Sequence, residues 1–444
     1  MSRESLLGKI TDTASRTRRA IHHGTAKLTD VEFVDEQLDR GINTFVIVAD
    51  SAWQSVDQYL MDLEVDGKVN RWGMPSERSI PAVATGKWFA TGELSNMMMQ
   101  NSGFSNAMEY LRTIMQVHKI PGVLTSGWRG FEFEGSPPHD LLGDITDKDN
   151  KNVYEKIDLF GTRSGRGLYT EVRKALDRAS EGNYGHLVCI RLSPGGLEKT
   201  YELRKVEESE VSYHNPAYYE AVKAKKGRPF EEVQAAGRMH PDDAMRFIVS
   251  SNPSDAFYFV YNGYGARRFQ ALNLTENCFE NAGGMGSSTA LAWGAAKSNP
   301  EQLFIAIDGD QNTLMNDSMD DVLSSDYPPN MKRYIVNNGA GDSVGRALSR
   351  PLAPWKYDLS YTINIENQDP NEPFPYPRVG ARGLKFNTQE ALDLAKEIGD
   401  LPAVAWLGRK RLIELQKERD TKKREEEWDV RQILQTSKLP HSLI

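Results

Sequence analysis

Apolar positions along this chain recur with two periods, one helical and one extended, and the two periods alternate. In residues 28–41 (LTDVEFVDEQLDRG), Val31, Phe33, Val34 and Leu38 fall on a helical spacing, with Asp30 as the expected N-cap and Gly41 as the stop. NTFVIVADS follows as a short β-branched run that reads as a buried strand ending at Asp50 and Ser51. Helical stretches are then expected at SAWQSVDQYLMDLEV, ERSIPAVATGKWFATG and FSNAMEYLRTIMQVHK, and LSNMMMQNSG between the last two reads as a strand opening into a glycine-containing turn. IPGVLTSGW and HLVCIRLSP are further apolar strands, separated by a loop-rich stretch over 135–170 and a helix at LYTEVRKALDRASEG. A second series starts at DDAMRFIVSS, with strands at FYFVYNG, LFIAIDGD and RYIVNNG and helices around 286–297 and 313–325. Strands that alternate with helices of this length imply βαβ units, hence an α/β chain with two mostly parallel sheets flanked by helices.

The same pattern sets the expected boundaries. Residues 1–26 read as an N-terminal extension, 27–205 as the first α/β domain and the charged, unpatterned 206–235 as a linker. Residues 236–400 read as the second domain and 401–444 as a charged helical tail. Residues 366–383, rich in proline, read as a surface loop.

Composition narrows the class. The chain has 444 residues, 54 Lys plus Arg against 62 Asp plus Glu, and a net charge of −8. That acidic balance argues against a nucleic-acid partner. No run approaches the roughly 18 apolar residues of a membrane helix, and the first residues carry no apolar signal core, so a cytoplasmic protein without a membrane partner is expected. Cys189 and Cys278, both in apolar surroundings, read as buried thiols of a reducing compartment.

The strongest local chemistry lies at two strand ends, Gly309-Asp310 and Asn337-Asn338. In a parallel sheet both would reach the same carboxyl edge, where ligands bind. A carboxylate, an amide oxygen and a nearby carbonyl are hard ligands suited to Mg²⁺ or Ca²⁺ together with phosphate. Taken alone, the pattern serves equally for a helix cap at Asp310 and a turn at Asn337-Asn338.

Further motifs decide between these readings. GD followed at this distance by NN resembles the thiamine-diphosphate (ThDP) fingerprint. VADS (48–51), MPSERS before a small-residue helix, MQNSGFSNA (99–107), GWRG (127–130) with PPH ending at His139, NGYGARRF (262–269), GGMG (283–286) and NNGAGDSVGR (337–346) stand in the order of the phosphonopyruvate and sulfopyruvate decarboxylase family. The resemblance runs from about residue 27 to 346 and implies a pyrimidine-binding domain first and a diphosphate-binding domain second. It implies that Glu77 hydrogen-bonds the aminopyrimidine ring, in a buried setting that would raise its pKa; without the family, Glu77 reads as a helix-start carboxylate. It implies that Asp310, Asn338 and the Ala340 carbonyl hold Mg²⁺, and that Gly284, Met285, Gly309, Gln311 and Asn337 lie along the cofactor. Asp50, Ser51, Asn101, Arg129 and Arg267 become substrate candidates, with Arg268 beside them, and His139 a proton donor or orienter. The reaction implied is decarboxylation of a small-molecule 2-oxo acid, phosphonopyruvate first, with sulfopyruvate or another 2-oxo acid as the alternative. The assembly implied is a homodimer or dimer of dimers, with Glu77 and the diphosphate site it serves on different subunits.

The chain departs from the family at several points. Gln311 replaces the second glycine of GDG, Ala49 the proline of VPDS, and Gly341 the histidine of NNGAHDS. In the SREL motif, Ala266 replaces the serine and Arg268 the glutamate. After Arg346 the pattern offers no evident closing strand and helix. A scaffold on a decayed cofactor site is therefore the competing class. Two features stay outside the family reading: the basic glycine-rich 161–167, which lacks the GK[ST] of a P-loop and reads as a lid or plain loop, and the charged C-terminal helix, a solvated surface or a partner contact.

Overall fold

The computed structural model describes residues 28–130, 153–159, 166–181, 184–193, 196–203, 238–341, 347–349, 359–368, 373–380, 383 and 389–436. The N-terminal extension, the linker and His139 lie outside them, as does most of the 161–167 loop.

The described residues build two parallel sheets. The first contains β1 (Thr44–Ile47), β2 (Asn70–Gly73), β3 (Asn96–Gln100), β4 (Gly122–Gly127), β5 (Glu155–Leu159) and β6 (Leu187–Leu192), in the order β2-β1-β3-β4-β6-β5. The second contains β7 (Phe257–Val260), β8 (Cys278–Glu280), β9 (Phe304–Gly309) and β10 (Met331–Asn337). A short antiparallel pair, β11 (Ala340–Gly341) and β12 (Ala347–Leu348), follows β10, and β13 (Tyr361–Asn364) joins the second sheet in the order β13-β10-β9-β7-β8. Every registered pairing in the two main sheets is parallel. The central strands are buried along their whole length, which is why they read as continuous apolar runs rather than alternating ones.

Helices cover both sheets: α1 (Asp30–Leu38), α2 (Gln54–Val65), α3 (Ile80–Thr91), α4 (Asn101–Tyr110) and α5 (Arg166–Ser180) in the first half. The second half has α6 (Pro241–Ser250), α7 (Tyr264–Ala271), α8 (Ser288–Ser298), α9 (Asp310–Met315), α10 (Ser318–Ser325), α11 (Gln389–Ile398) and α12 (Asp400–Thr436). Helices α3 and α8 are apolar on nearly every face and buried from Ile80 to Ala90 and from Ser288 to Ala296. They face each other across the centre of the molecule. A side chain at Gly86 would strike the Leu291 carbonyl, and one at Gly294 would strike the Val83 carbonyl. Each glycine thus lets the other helix's backbone approach, and one apolar core runs through both halves.

Several expectations change. The N-cap of α1 is Thr29, not Asp30; Thr29 and Glu32 form a capping box, and Asp30 accepts hydrogen bonds from Thr200 and Tyr201 instead. The turn expected at Asn101–Gly103 is the first turn of α4. Helix α4 continues through a wider π-helical turn over Leu111–Gln116. Strand β5 lies in the stretch read as loops, and β13 supplies the closing strand that the pattern did not show. The charged C-terminal segment is one long helix packed on the body. Leu412 and Leu415 are buried, Arg409 caps α3 at the Trp88 carbonyl, and Trp406 donates to the Lys119 carbonyl.

Candidate active site

The carboxyl edge of the second sheet opens into a small, solvent-open cleft. Tyr261 and Asn262 follow β7, Gly309 ends β9, Asp310 and Gln311 open α9, and Asn338 and Ala340 follow β10. Both strand-end motifs therefore reach the same place. Asp310 is buried, and the Asn338 Oδ1 accepts from the Ala340 N–H at 3.3 Å, which closes the turn that brings Ala340 into the wall. A side chain at Gly309 would press on the Tyr261 ring at 3.1 Å, so the strand end stays bare.

The donor set fits the implied cofactor metal. One carboxylate, one amide oxygen and one backbone carbonyl are hard oxygen donors that leave positions for phosphate oxygens and water. Among the described residues, no group of three or more His, Cys, Asp and Glu side chains is placed to hold a metal ion.

Of the residues expected in the second half, Gly284, Met285, Asn337 and Arg267 do not line this cleft. Successive residues of a strand face opposite ways, so Val336 and Asn338 face the cleft while Asn337 turns away. Asn337 donates to the Asn364 Oδ1 on β13 at 3.1 Å and accepts from the Gly339 N–H. Arg267 is also spent elsewhere: its guanidinium donates to the Tyr376 and Pro377 carbonyls and lies over the Phe374 ring at 4.5 Å. The cleft cation is its neighbour Arg268, paired with Asp242. Burial alone would raise the Asp242 carboxyl, but hydrogen bonds from Tyr376 and Arg268 outweigh it and hold the group below the usual range.

Glu77 opens a short helical turn, Glu77–Ser79, ahead of α3. It is half-buried rather than buried as expected. Its carboxylate accepts from Asn106 Nδ2 at 3.3 Å, and its side chain lies over Gly103. The residues beside it join the second half directly. Arg78 donates to the Met285 carbonyl at 3.2 Å and pairs with Glu109. Tyr110 donates to the same carbonyl at 2.8 Å, and burial pushes its hydroxyl pKa up. Ser79 donates to Asn316 Oδ1 at 3.0 Å, and the π-helical turn lies against Gly283 and Gly284, where a side chain would meet Thr113 and Ile114. Met285 is 37% exposed, an apolar side chain left open at this junction. The loop reaches the cleft through Gly286, whose N–H donates to Asn312 Oδ1 at 3.0 Å. The family resemblance puts Glu77 and its diphosphate site on different subunits. Here the Glu77 segment meets the Met285 loop of its own chain. The contacts made by Arg78, Tyr110 and Asn106 were not foreseen; the only signal was that Arg78 adjoins Glu77 and Asn106 sits in MQNSGFSNA.

A third group of residues sits at the carboxyl edge of the first sheet. Asp50 and Ser51 follow β1, Asn101 follows β3 and Arg129 follows β4. The Arg129 guanidinium donates to both Asp50 and Ser51, and Asn101 holds the Arg129 backbone with bonds at 2.8 and 3.1 Å. The structure therefore brings these four together, and α4, which begins at Asn101, leads from them to Gly103 and Asn106 beside Glu77.

The chain is similar to two curated proteins, both named phosphonopyruvate decarboxylase. The one from Streptomyces hygroscopicus is 28% identical over 295 residues, and the one from Streptomyces viridochromogenes is 26% identical over 283. Each match takes in 62% of this chain and 65% of the relative, so the similarity spans just under two thirds of those proteins' length. No protein-family model matches the chain. Among solved structures, a Mycobacterium smegmatis protein assigned to the thiamin diphosphate-dependent enzymes shares the fold, with a TM-score of 0.53 and 12% identity over 77% of this chain and 100% of that one. The resemblance to the phosphonopyruvate and sulfopyruvate decarboxylase family, carried in the sequence by motifs in order, is thus borne out by relatives that bear one of its names.

Proposed function

We propose that this protein is a ThDP- and Mg²⁺-dependent decarboxylase of a small 2-oxo acid, with phosphonopyruvate as the first-choice substrate and sulfopyruvate or another 2-oxo acid as the alternative. The observation that carries this reading is the Glu77 segment docked on the Met285 loop, next to a cleft lined by Asp310, Asn338 and Ala340. The relatives' names support the reaction class.

In this reading Asp310, the Asn338 oxygen and the Ala340 carbonyl hold the metal. The bare strand end at Gly309 lets backbone approach the diphosphate. ThDP, when bound, supplies a carbon nucleophile and an electron sink for the carboxylate that leaves. Glu77 holds a proton at the aminopyrimidine ring, and the apolar side chain of Met285 borders the cofactor. Arg129, steered by Asp50 and Ser51, orients the anionic substrate. The protein is proposed to be cytoplasmic and to assemble as the homodimer or dimer of dimers that the family implies. Light scattering of the active species separates that assembly from a monomer using its intrachain junction.

The deciding experiment is CO₂ release by the purified protein with ThDP and Mg²⁺, over phosphonopyruvate, sulfopyruvate, pyruvate and oxaloacetate, with a chelator control. Chelator-sensitive release from one acid, lost in Glu77→Gln, is the expected result. No release together with no thermal shift by ThDP and Mg²⁺ would sink the reading in favour of a scaffold.

A further inference from the structure

Gly103 lies in the first turn of α4, where nothing in the backbone calls for glycine, since its φ is not positive. Alanine is the better helix former at such a position. The structure supplies another reason for glycine. A Cβ built on Gly103 would lie 2.5 Å from Glu77 Cγ, 2.6 Å from Cδ and 2.6 Å from Oε1. Those distances are too short for real contacts, and the group best able to yield is the Glu77 side chain rather than a backbone. Asn106 is three residues further on, hence on the same face of α4. Its Nδ2 donates to Glu77 Oε2 at 3.3 Å and to Ser76 Oγ at 3.0 Å. One oxygen of the carboxylate is thus held by Asn106, while the other lies over the bare Gly103 backbone.

We propose that Gly103 is a positioning residue for Glu77: the missing side chain at 103, with Asn106 one turn on, sets where the Glu77 carboxylate points. The consequence for catalysis rests on the proposed role of Glu77 at the aminopyrimidine ring, whereas the seat itself does not.

The test therefore has two parts. The first needs no cofactor: melting temperatures of the apoprotein as wild type, Gly103→Ala, Glu77→Ala and the double variant. With Glu77 truncated, alanine at 103 should raise the melting temperature through its helix propensity. With Glu77 present the gain should be smaller or reversed, because the side chain must be displaced. An equal shift in both backgrounds means that the two positions are uncoupled and overturns the proposal. The second part measures exchange of the C2 proton of bound ThDP in D₂O by quenched NMR. Gly103→Ala should slow exchange by about 100-fold, the usual cost of a misplacement of about 1 Å, while the Kd for ThDP moves only a few-fold. Exchange as fast as wild type would overturn the positioning role. If no variant binds ThDP, the functional reading fails, and the melting comparison still decides whether Gly103 seats Glu77.

Discussion

The two sheets end in edges of different character. At the second sheet's edge, Asp310, Asn338 and Ala340 line an open cleft, set there by the strand ends and by the turn that Asn338 closes on the Ala340 N–H. At the first sheet's edge, Asp50, Ser51, Asn101 and Arg129 are bonded to one another, and the half-buried Glu77 sits apart at the seam between the halves. In the proposed function, one edge holds the cofactor and the other supplies the groups that act on the substrate. A parallel sheet gives both for the same reason, since its strand ends all emerge on one side. The division predicts that substitutions at the two edges should separate binding from turnover.

The largest effect tests that separation directly. Glu77→Gln keeps the size and the Asn106 contact but removes the titratable proton. Turnover should fall by about 10²–10⁴-fold, as for loss of a general acid or base, with ThDP affinity nearly unchanged. Asp310→Ala should instead remove Mg²⁺-dependent ThDP binding, and with it all turnover. Calorimetric titration of both variants with ThDP and Mg²⁺ reads the difference. If Glu77→Gln lost binding to the same extent as Asp310→Ala, the two edges would not divide the work.

Arg129 sharpens the comparison on the substrate side. One of its terminal nitrogens donates to both Asp50 and Ser51, and a lysine would replace the planar, longer guanidinium with a compact, strongly hydrated ammonium on a different reach. Arg129→Lys keeps the charge against the buried Asp50, so the fold should survive. The KM for the 2-oxo acid should rise about tenfold, the scale of one hydrogen bond to a charged group. A change in ThDP affinity with no change in KM would move Arg129 from substrate to cofactor.

Behind both edges lies the seam, and His118 tests it without touching the site. Its ring is fully buried against Phe279 of β8, with Nδ1 donating to the Ile114 carbonyl at 2.9 Å. Burial lowers its pKa to about 4 from 6.5, because the charged ring would lose its water. The unfolded chain therefore takes up this proton at a higher pH than the folded one. Stability from this residue is complete above pH 6.5 and is lost as pH falls toward 4, by about 3 kcal/mol in all. His118→Leu should flatten the pH dependence of the melting temperature across that window. An unchanged acid slope would show that His118 is not what weakens the seam.

Much of this arrangement was legible in the sequence, and the misses have physical causes. Strands buried on both faces, such as Thr44–Ile47 and Phe304–Gly309, announce themselves as apolar runs. Asn70–Gly73 buries only Trp72 at a sheet edge and Cys278–Glu280 has three residues, so neither carries a run long enough to read. The motif segments at Gly309–Gln311 and Asn337–Ala340 converge on one cleft, but adjacent residues within such segments face different ways. Asn337 and Asn338 are neighbours that alternate across a strand, and only the second reaches the cleft. Arg267 and Arg268 are neighbours on a helix, and only the second does. Which of two adjacent residues faces a site depends on register against the rest of the fold. The junction of Arg78 and Tyr110 with the Met285 carbonyl was invisible for the same reason, since it joins segments far apart in sequence.

The smallest expected effect concerns Gln311, the departure that bears most directly on the cleft. Its side chain stands in the cleft wall where the resembled fingerprint has glycine, beside Asp310 at the opening of α9. Gln311→Gly restores the fingerprint. It also removes a side chain from the first turn of a six-residue helix, which costs roughly 0.5–1 kcal/mol of local order. If the glutamine only narrows the cleft, ThDP affinity should rise by less than tenfold while the melting temperature falls slightly. If its amide has become a phosphate ligand, affinity should drop instead, because a hydrogen bond to a charged oxygen is lost. The sign of that change decides whether the cleft has adapted around the glutamine or merely tolerates it.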